Sequence, residues 1–372
     1  MASTNRFRTL ALRIAIPALL GPALCGAVRA PTQYADNLVS EHIVVRIARE
    51  REWIGRDTVP DLERCWQFIE RAIAGKLPHR VFVAADWRRP LAWTRAVEDT
   101  VFIGMDDPAA VADPRGYLLF HAAREMARMA LSKLSGSGAA REENAFLVEG
   151  MIEIYAHEFR GSARGIEAAW TLSHLLERTE GLGLNRMYRW QEYSAGRRDP
   201  CVTGPAVTFL LVCRQRHGRE KLLRLFEALR RATPAEAFRQ VLQTTAVELE
   251  QAWLEEVRRH DAGRELLAGA GADAPALRRA AADPERARAG ETVRVQVSVT
   301  RGRAPLLPCG LFVTDLQSDR VFRARLAGAE GDYLAEIPVA AESAPGHRTL
   351  RITAVDAAGN VRHWSGGYEV VP

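Results

Sequence analysis

Between residues 116 and 256 apolar side chains recur at helical spacing, whereas beyond residue 285 they recur at every second position. Val293, Val295, Val297 and Val299 form one such run, and Leu350, Ile352 and Ala354 another. A two-residue period sends successive side chains to opposite faces of a strand, so one face is buried and the other solvated. Turn-rich stretches separate at least five such runs, which makes residues 285–372 an all-β module. The stretch 269–275 is low in bulky side chains and begins an expected linker over 266–284. A chain of 372 residues also exceeds what one typical core needs. Two domains are therefore expected, over 31–265 and 285–372.

The first of these reads as α+β and mostly helical. Residues 42–47 suit a strand, and residues 59–73 suit a helix that buries Leu62, Trp66, Ile69 and Ile73. Short apolar runs at 81–84 and 101–104 suit further strands. Helices are then expected near 116–134, 143–159, 163–177, 204–216 and 219–231, with Gly218 separating the last two. Thr233 to Glu236 and Thr245 to Glu248 each match a capping box, with Pro234 at the favoured first helical position.

Residues 1–30 have the layout of a secretory signal. Basic Arg6 to Arg13 precede an apolar stretch at 14–24, and small residues follow near Ala27 and Ala30. The apolar run is shorter than the roughly 20 residues a membrane span needs and is interrupted by Pro17 and Pro22. Export to a periplasmic or extracellular site, with no span left after cleavage, is the expectation. Of the formal charge of +5, four units come from Arg6, Arg8, Arg13 and Arg29, which leaves a nearly neutral mature chain. Such a chain without a dense basic cluster does not suit a nucleic-acid partner. Cys65, Cys201, Cys213 and Cys309 lack paired zinc-site spacing, so they read as buried thiols or one disulfide.

The chemistry-bearing segment is Arg124-Glu-Met-Ala-Arg128, followed by Glu149-Gly-Met-Ile-Glu-Ile-Tyr155. Here the chain resembles the gluzincin, or peptidase MA-like, zinc metallopeptidases. In that family one helix carries HExxH and a second supplies a glutamate within a pattern like NEGxxEY. The two histidines stack on one helix face, and the intervening glutamate activates zinc-bound water. The resemblance places the histidine positions at Arg124 and Arg128, the general-base position at Glu125 and the third ligand at Glu149. Glu153 and Tyr155 keep the pattern of the second helix, and the resemblance puts Cys201 near where relatives often carry a tyrosine. The order of elements over residues 42–256 implies a thermolysin-like fold. Thr353 to Asn360 likewise resembles the last hairpin of bacterial immunoglobulin-like modules, which implies a β-sandwich.

Arginine stays protonated and offers no lone pair, so Arg124 and Arg128 cannot replace imidazole ligands. No metal or other cofactor is therefore expected, and Glu125 is expected to be orphaned as a base. Two arginines and two carboxylates sum to zero, as do zinc, two neutral histidines and two carboxylates. Pairing of Arg124 and Arg128 with Glu125 and Glu149 is expected on that ground, against solvent-facing arginines as the alternative. The implied function is that of an inactive peptidase-like protein binding a peptide, protein or glycan in the cell envelope. A zinc hydrolase with relocated ligands drawn from His121, Glu125, Glu149 and His157 is the second reading, and a purely structural envelope component the third.

Overall fold

The computed structural model describes residues 37–372, apart from residue 74 and residues 190–199, 268–273, 301, 303–305 and 328–330. The expected signal segment 1–30 lies outside the described residues.

Five strands form a mixed sheet: β1 (Leu38–Val39), β2 (Ile43–Arg46), β3 (Val81–Pro90), β4 (Arg95–Val97) and β5 (Thr100–Asp106), in the order β1-β2-β3-β5-β4. β2, β3 and β5 run parallel, and β1 and β4 close the two edges antiparallel. The parallel strands turn one apolar face into the core, with Ile43, Val45, Val81, Val83 and Ile103 fully covered, while Phe82 of β3 stays exposed.

Helix α1 (Glu52–Ala72) connects β2 to β3 and starts seven residues before the expected 59. Pro60 lies inside it. A proline there leaves the carbonyl four residues earlier unbonded, and that carbonyl belongs to exposed Arg56, where water can satisfy it. The buried stripe Ile54, Leu62, Cys65 and Ile69 holds the helix across the interruption.

α2 (Pro108–Ala112), α3 (Pro114–Ser135), α4 (Glu142–Arg160), α5 (Ala163–Glu180), α6 (Leu184–Tyr188), α7 (Pro200–His217), α8 (Arg219–Ala228), α9 (Pro234–Ala237) and α10 (Ala246–Arg259) follow. Asp113 caps α3 by accepting from the Gly116 amide at 2.8 Å, with Pro114 at the first helical position. Both expected capping boxes form, at Thr233/Glu236 and Thr245/Glu248. α4 and α7 cross at Gly150, where a Cβ would meet the Ala206 backbone at 2.8 Å. Fully buried Trp253 of α10 donates to Thr208 Oγ1 of α7 at 2.9 Å, and Thr208 meets Ser173 of α5 at 3.1 Å.

The C-terminal part is a two-sheet sandwich of β6 (Ala276–Asp283), β7 (Arg286–Arg288), β8 (Thr292–Thr300), β9 (Leu306–Asp315), β10 (Arg320–Arg323), β11 (Arg325–Leu326), β12 (Asp332–Pro338), β13 (Gly346–Asp356) and β14 (Val361–Val371). The sheet orders are β10-β9-β13-β14-β7 and β11-β12-β8-β6. Val293, Val295, Val297, Ala335 and Ile337 of one sheet pack on Leu311, Val313, Leu350, Ile352 and Val370 of the other. The chain is thus α+β, helical first and β-rich after. Strand β6 occupies much of the stretch expected as linker, so the sandwich begins at Ala276 rather than 285. Its run of alanines and Arg278-Arg279 carries no alternation of large apolar side chains, because most of β6 stays accessible at a sheet edge.

The sandwich is also not tethered by a free linker. Leu307, Phe312, Val355 and Val361 are buried in the core of the helical part, while Leu311 and Val313 beside Phe312 point into the sandwich. β9 packs on α7 and β10 on α5. Leu266 and Val361 exchange backbone hydrogen bonds at 2.9 and 2.8 Å, and Arg178 Nη1 pairs with Asp319 at 2.8 Å.

Candidate functional site

α3 and α4 bring the two motif segments face to face. Residues four apart on a helix stack on one face, so Arg124 and Arg128 form one column and Glu149 and Glu153 the other. The helices run antiparallel, which sets Arg128 against Glu149 and Arg124 against Glu153.

Arg128 is the hub. Its Nη1 and Nη2 grip both Glu149 carboxylate oxygens, the second at 2.9 Å, and its Nε donates to Glu125 Oε2 at 3.1 Å. A fork on one carboxylate plus a third bond to another is the strong geometry for arginine. Burial opposes the Arg128 charge, but the Glu149 hydrogen bonds and the Glu149 and Glu125 carboxylates outweigh it and hold its pKa above the ordinary value. Glu125 is 0% exposed and Glu149 2%, so these charges are taken out of water together.

Arg124 differs from the expected arrangement. Its Nη1 pairs with Glu153 Oε1 at 2.6 Å, and its Nη2 lies 3.8 Å from Glu149 Oε2, too far for a hydrogen bond. The guanidinium carbon sits 5.9 Å from the Phe120 ring centroid, a cation-π contact. Glu153 therefore joins the pairing as a third carboxylate. Its four-residue separation from Glu149, matching that of the two arginines, was the sequence signal for this role.

Tyr155 is not brought to these charges. Its hydroxyl points to Ala72 O of α1 at 3.5 Å and its ring meets Phe68, because six residues along a helix from Glu149 lead to another face. His121 is buried one turn before Arg124, 4.3 Å in ring separation from Tyr117. His157 lies against the other side of Phe120, at 5.3 Å. Among the described residues His121, Glu125, Glu149 and His157 do not bring their donor atoms within reach of one ion; Glu41, His42 and Glu63 do. Cys65 and Cys213 are buried free thiols, with burial pushing Cys213 up to about 12. The side chains of Cys201 and Cys309 lie outside the described residues.

The residues at the expected ligand positions, Arg124, Arg128 and Glu149, do not fit zinc. Two carry guanidinium groups without lone pairs, and both oxygens of the third are held by Arg128.

His157 supplies a pH test. Burial lowers its pKa from 6.5, the Glu153 carboxylate opposes that shift, and the Arg124, Arg160 and Arg164 charges reinforce it; Phe120 and Gly165 pack on the ring. Burial lowers His260 and His363 in the same direction. Below about 6.5 the unfolded chain takes up protons that the folded chain refuses. Stability is thus full above pH 6.5 and is expected to fall as pH drops through the lowered folded values. Urea melts at pH 7.5 and 5.5 should show the loss, and His157→Phe should reduce it; a pH-independent midpoint would contradict this.

No family model and no curated protein matches the chain. Among solved structures, Pseudomonas fluorescens alkylpurine DNA glycosylase AlkC bound to DNA containing an abasic site analog aligns at 12% identity over 86% of this chain and 99% of that one, with a TM-score of 0.23. The surface layer protein SbsC, domains 1–6, aligns at 11% identity over 84% of this chain and 45% of that one, with a TM-score of 0.17. At those scores neither superposition defines a fold or a function for this chain. No helix among the described residues is long and apolar enough to cross a membrane.

Proposed function

We propose that this chain is an exported, catalytically inactive relative of the gluzincin peptidases with a thermolysin-like arrangement, joined to an immunoglobulin-like module. In this reading it serves as a binding or scaffold protein in the cell envelope, with a peptide, protein or glycan as partner. The observation that carries the reading is the fork of Arg128 on Glu149 with Glu125 on its Nε. In this reading an arginine-carboxylate network takes the positions at which the family motif would hold zinc, and the base position directs its carboxylate to an arginine. The mixed sheet ahead of the motif helix and the helices after it support the same reading. So does the hairpin of β13 and β14, whose Asp356 side chain accepts from the Ala358 and Asn360 amides at 2.9 and 2.8 Å.

The test is metal analysis of the purified mature protein beside its Glu149→Gln variant. No zinc that depends on Glu149 is expected; zinc held in the wild type and released by Glu149→Gln would overturn the reading. Restoring histidine at both positions, Arg124→His with Arg128→His, is expected to create zinc affinity, because Glu149 remains to complete the three-ligand set. Absence of any gain by calorimetry would show that RExxR does not stand in the register of HExxH.

A further inference from the structure

Away from the arginines, one imidazole is held as metal-binding histidines are held. His42 immediately precedes β2, and its Nδ1 lies 2.5 Å from Glu63 Oε1 on α1. The other oxygen of Glu63 accepts from Ser40 Oγ at 2.6 Å and from the His42 amide at 3.1 Å. In a neutral ring that donates to this carboxylate through Nδ1–H, the lone pair is left on Nε2. This is the carboxylate-histidine pairing that fixes the tautomer of a ligating imidazole.

The ring is locked on its face as well. Trp66 stacks on it at 3.7 Å between centroids and 10° between planes, and Trp66 Nε1 in turn donates to Pro78 O at 3.0 Å. That bond fixes the turn carrying His79, an exposed ring that stands perpendicular to His42 at 5.4 Å. On the open nitrogen, Nε2 lies 3.8 Å from Glu41 Oε1. With metal-ligand bonds of about 2.0–2.2 Å for both nitrogen and oxygen, one ion can span that gap. Glu41 and Glu63 set two carboxylates around one imidazole, which suits a divalent cation.

We propose that Glu41 and His42 bind one divalent transition-metal ion, with Glu63 orienting His42 from behind. Imidazole with carboxylate selects zinc or copper over calcium or magnesium. The site is independent of the Arg128 pairing and of the function proposed from it.

Calorimetric titration of the metal-stripped mature chain with zinc chloride at pH 7.5 is expected to show one ion per chain. Glu149→Gln should leave that binding unchanged, which separates it from the expected ligand positions. His42→Ala is expected to abolish it, Glu41→Gln to weaken it, and Glu63→Gln to weaken it by about ten- to a hundredfold, the usual effect of losing an orienting carboxylate. His347→Ala, in the sandwich, should change nothing. Copper(II) should also quench the indole stacked on His42, and Trp66→Phe should remove that part of the quenching; this readout needs only a variant that keeps the ligands. No zinc binding by the wild type, or binding untouched by His42→Ala, would overturn the site.

Discussion

Glu149→Ala is expected to destabilise the protein by about 3–5 kcal/mol, because it strands the Arg128 guanidinium in a site closed to most water. Both bonds of the Arg128 fork are lost at once, and Glu125 is left as the remaining bonded partner. Arg128→Met should cost about 3 kcal/mol, at the lower end, since the Arg128 side chain keeps 17% exposure while the carboxylates it leaves behind are nearly fully covered. The double change Arg128→Met with Glu149→Met should cost less than the two single changes together, because neither leaves a lone charge facing the other. Urea melts of the two single variants and the double variant measure this directly. Small losses that simply add would mean that the arginines are solvated and that the ion network does not hold the two helices together.

The second large effect concerns Phe312, which sits in the sandwich strand β9 but is 0% exposed within the core of the helical part. Phe312→Ala is expected to cost about 3–5 kcal/mol, the usual range for emptying a core phenylalanine. More informative is the shape of the transition. With Leu307, Phe312, Val355 and Val361 shared between the two parts, calorimetry should show one unfolding transition for the mature chain. Two resolved transitions, with Phe312→Ala shifting only the sandwich, would mean that the docking is weak. A fragment 285–372 also lacks β6 and would expose this face.

What could be read from the sequence was what depends on neighbours along the chain. The capping boxes at Thr233 and Thr245, Gly218 between two helices and the Asp356 turn are local hydrogen-bond patterns, and each forms where its residues occur. The start of α1 and strand β6 were missed for the opposite reason. Pro60 is accommodated only because its turn faces water, and β6 is a strand because β8 pairs with it, not because its own side chains alternate. At the site, charge balance led to the expectation that Arg124 and Arg128 pair with Glu125 and Glu149, but the choice of Glu153 for Arg124 depends on the antiparallel register of α3 and α4. His42 and Glu63 are 21 positions apart with no motif linking them; the packing of β2 against α1 makes them neighbours.

The parallel pairing of β7 with β14 carries a consequence for how the molecule is made. It joins Glu369, Val370 and Val371 to Arg286, Ala287 and Arg288, so the first sheet of the sandwich closes only when nearly the whole module is available. A contact of such long sequence separation is slow to find, since the loop entropy is spent before the contact returns anything. Until β9 and β10 form, the faces of α7 and α5 that they cover stay open, and the nascent helical half is exposed to aggregation. The short strand at residues 286–288 thus acts as the latch of the molecule, and assembly is complete only when it engages.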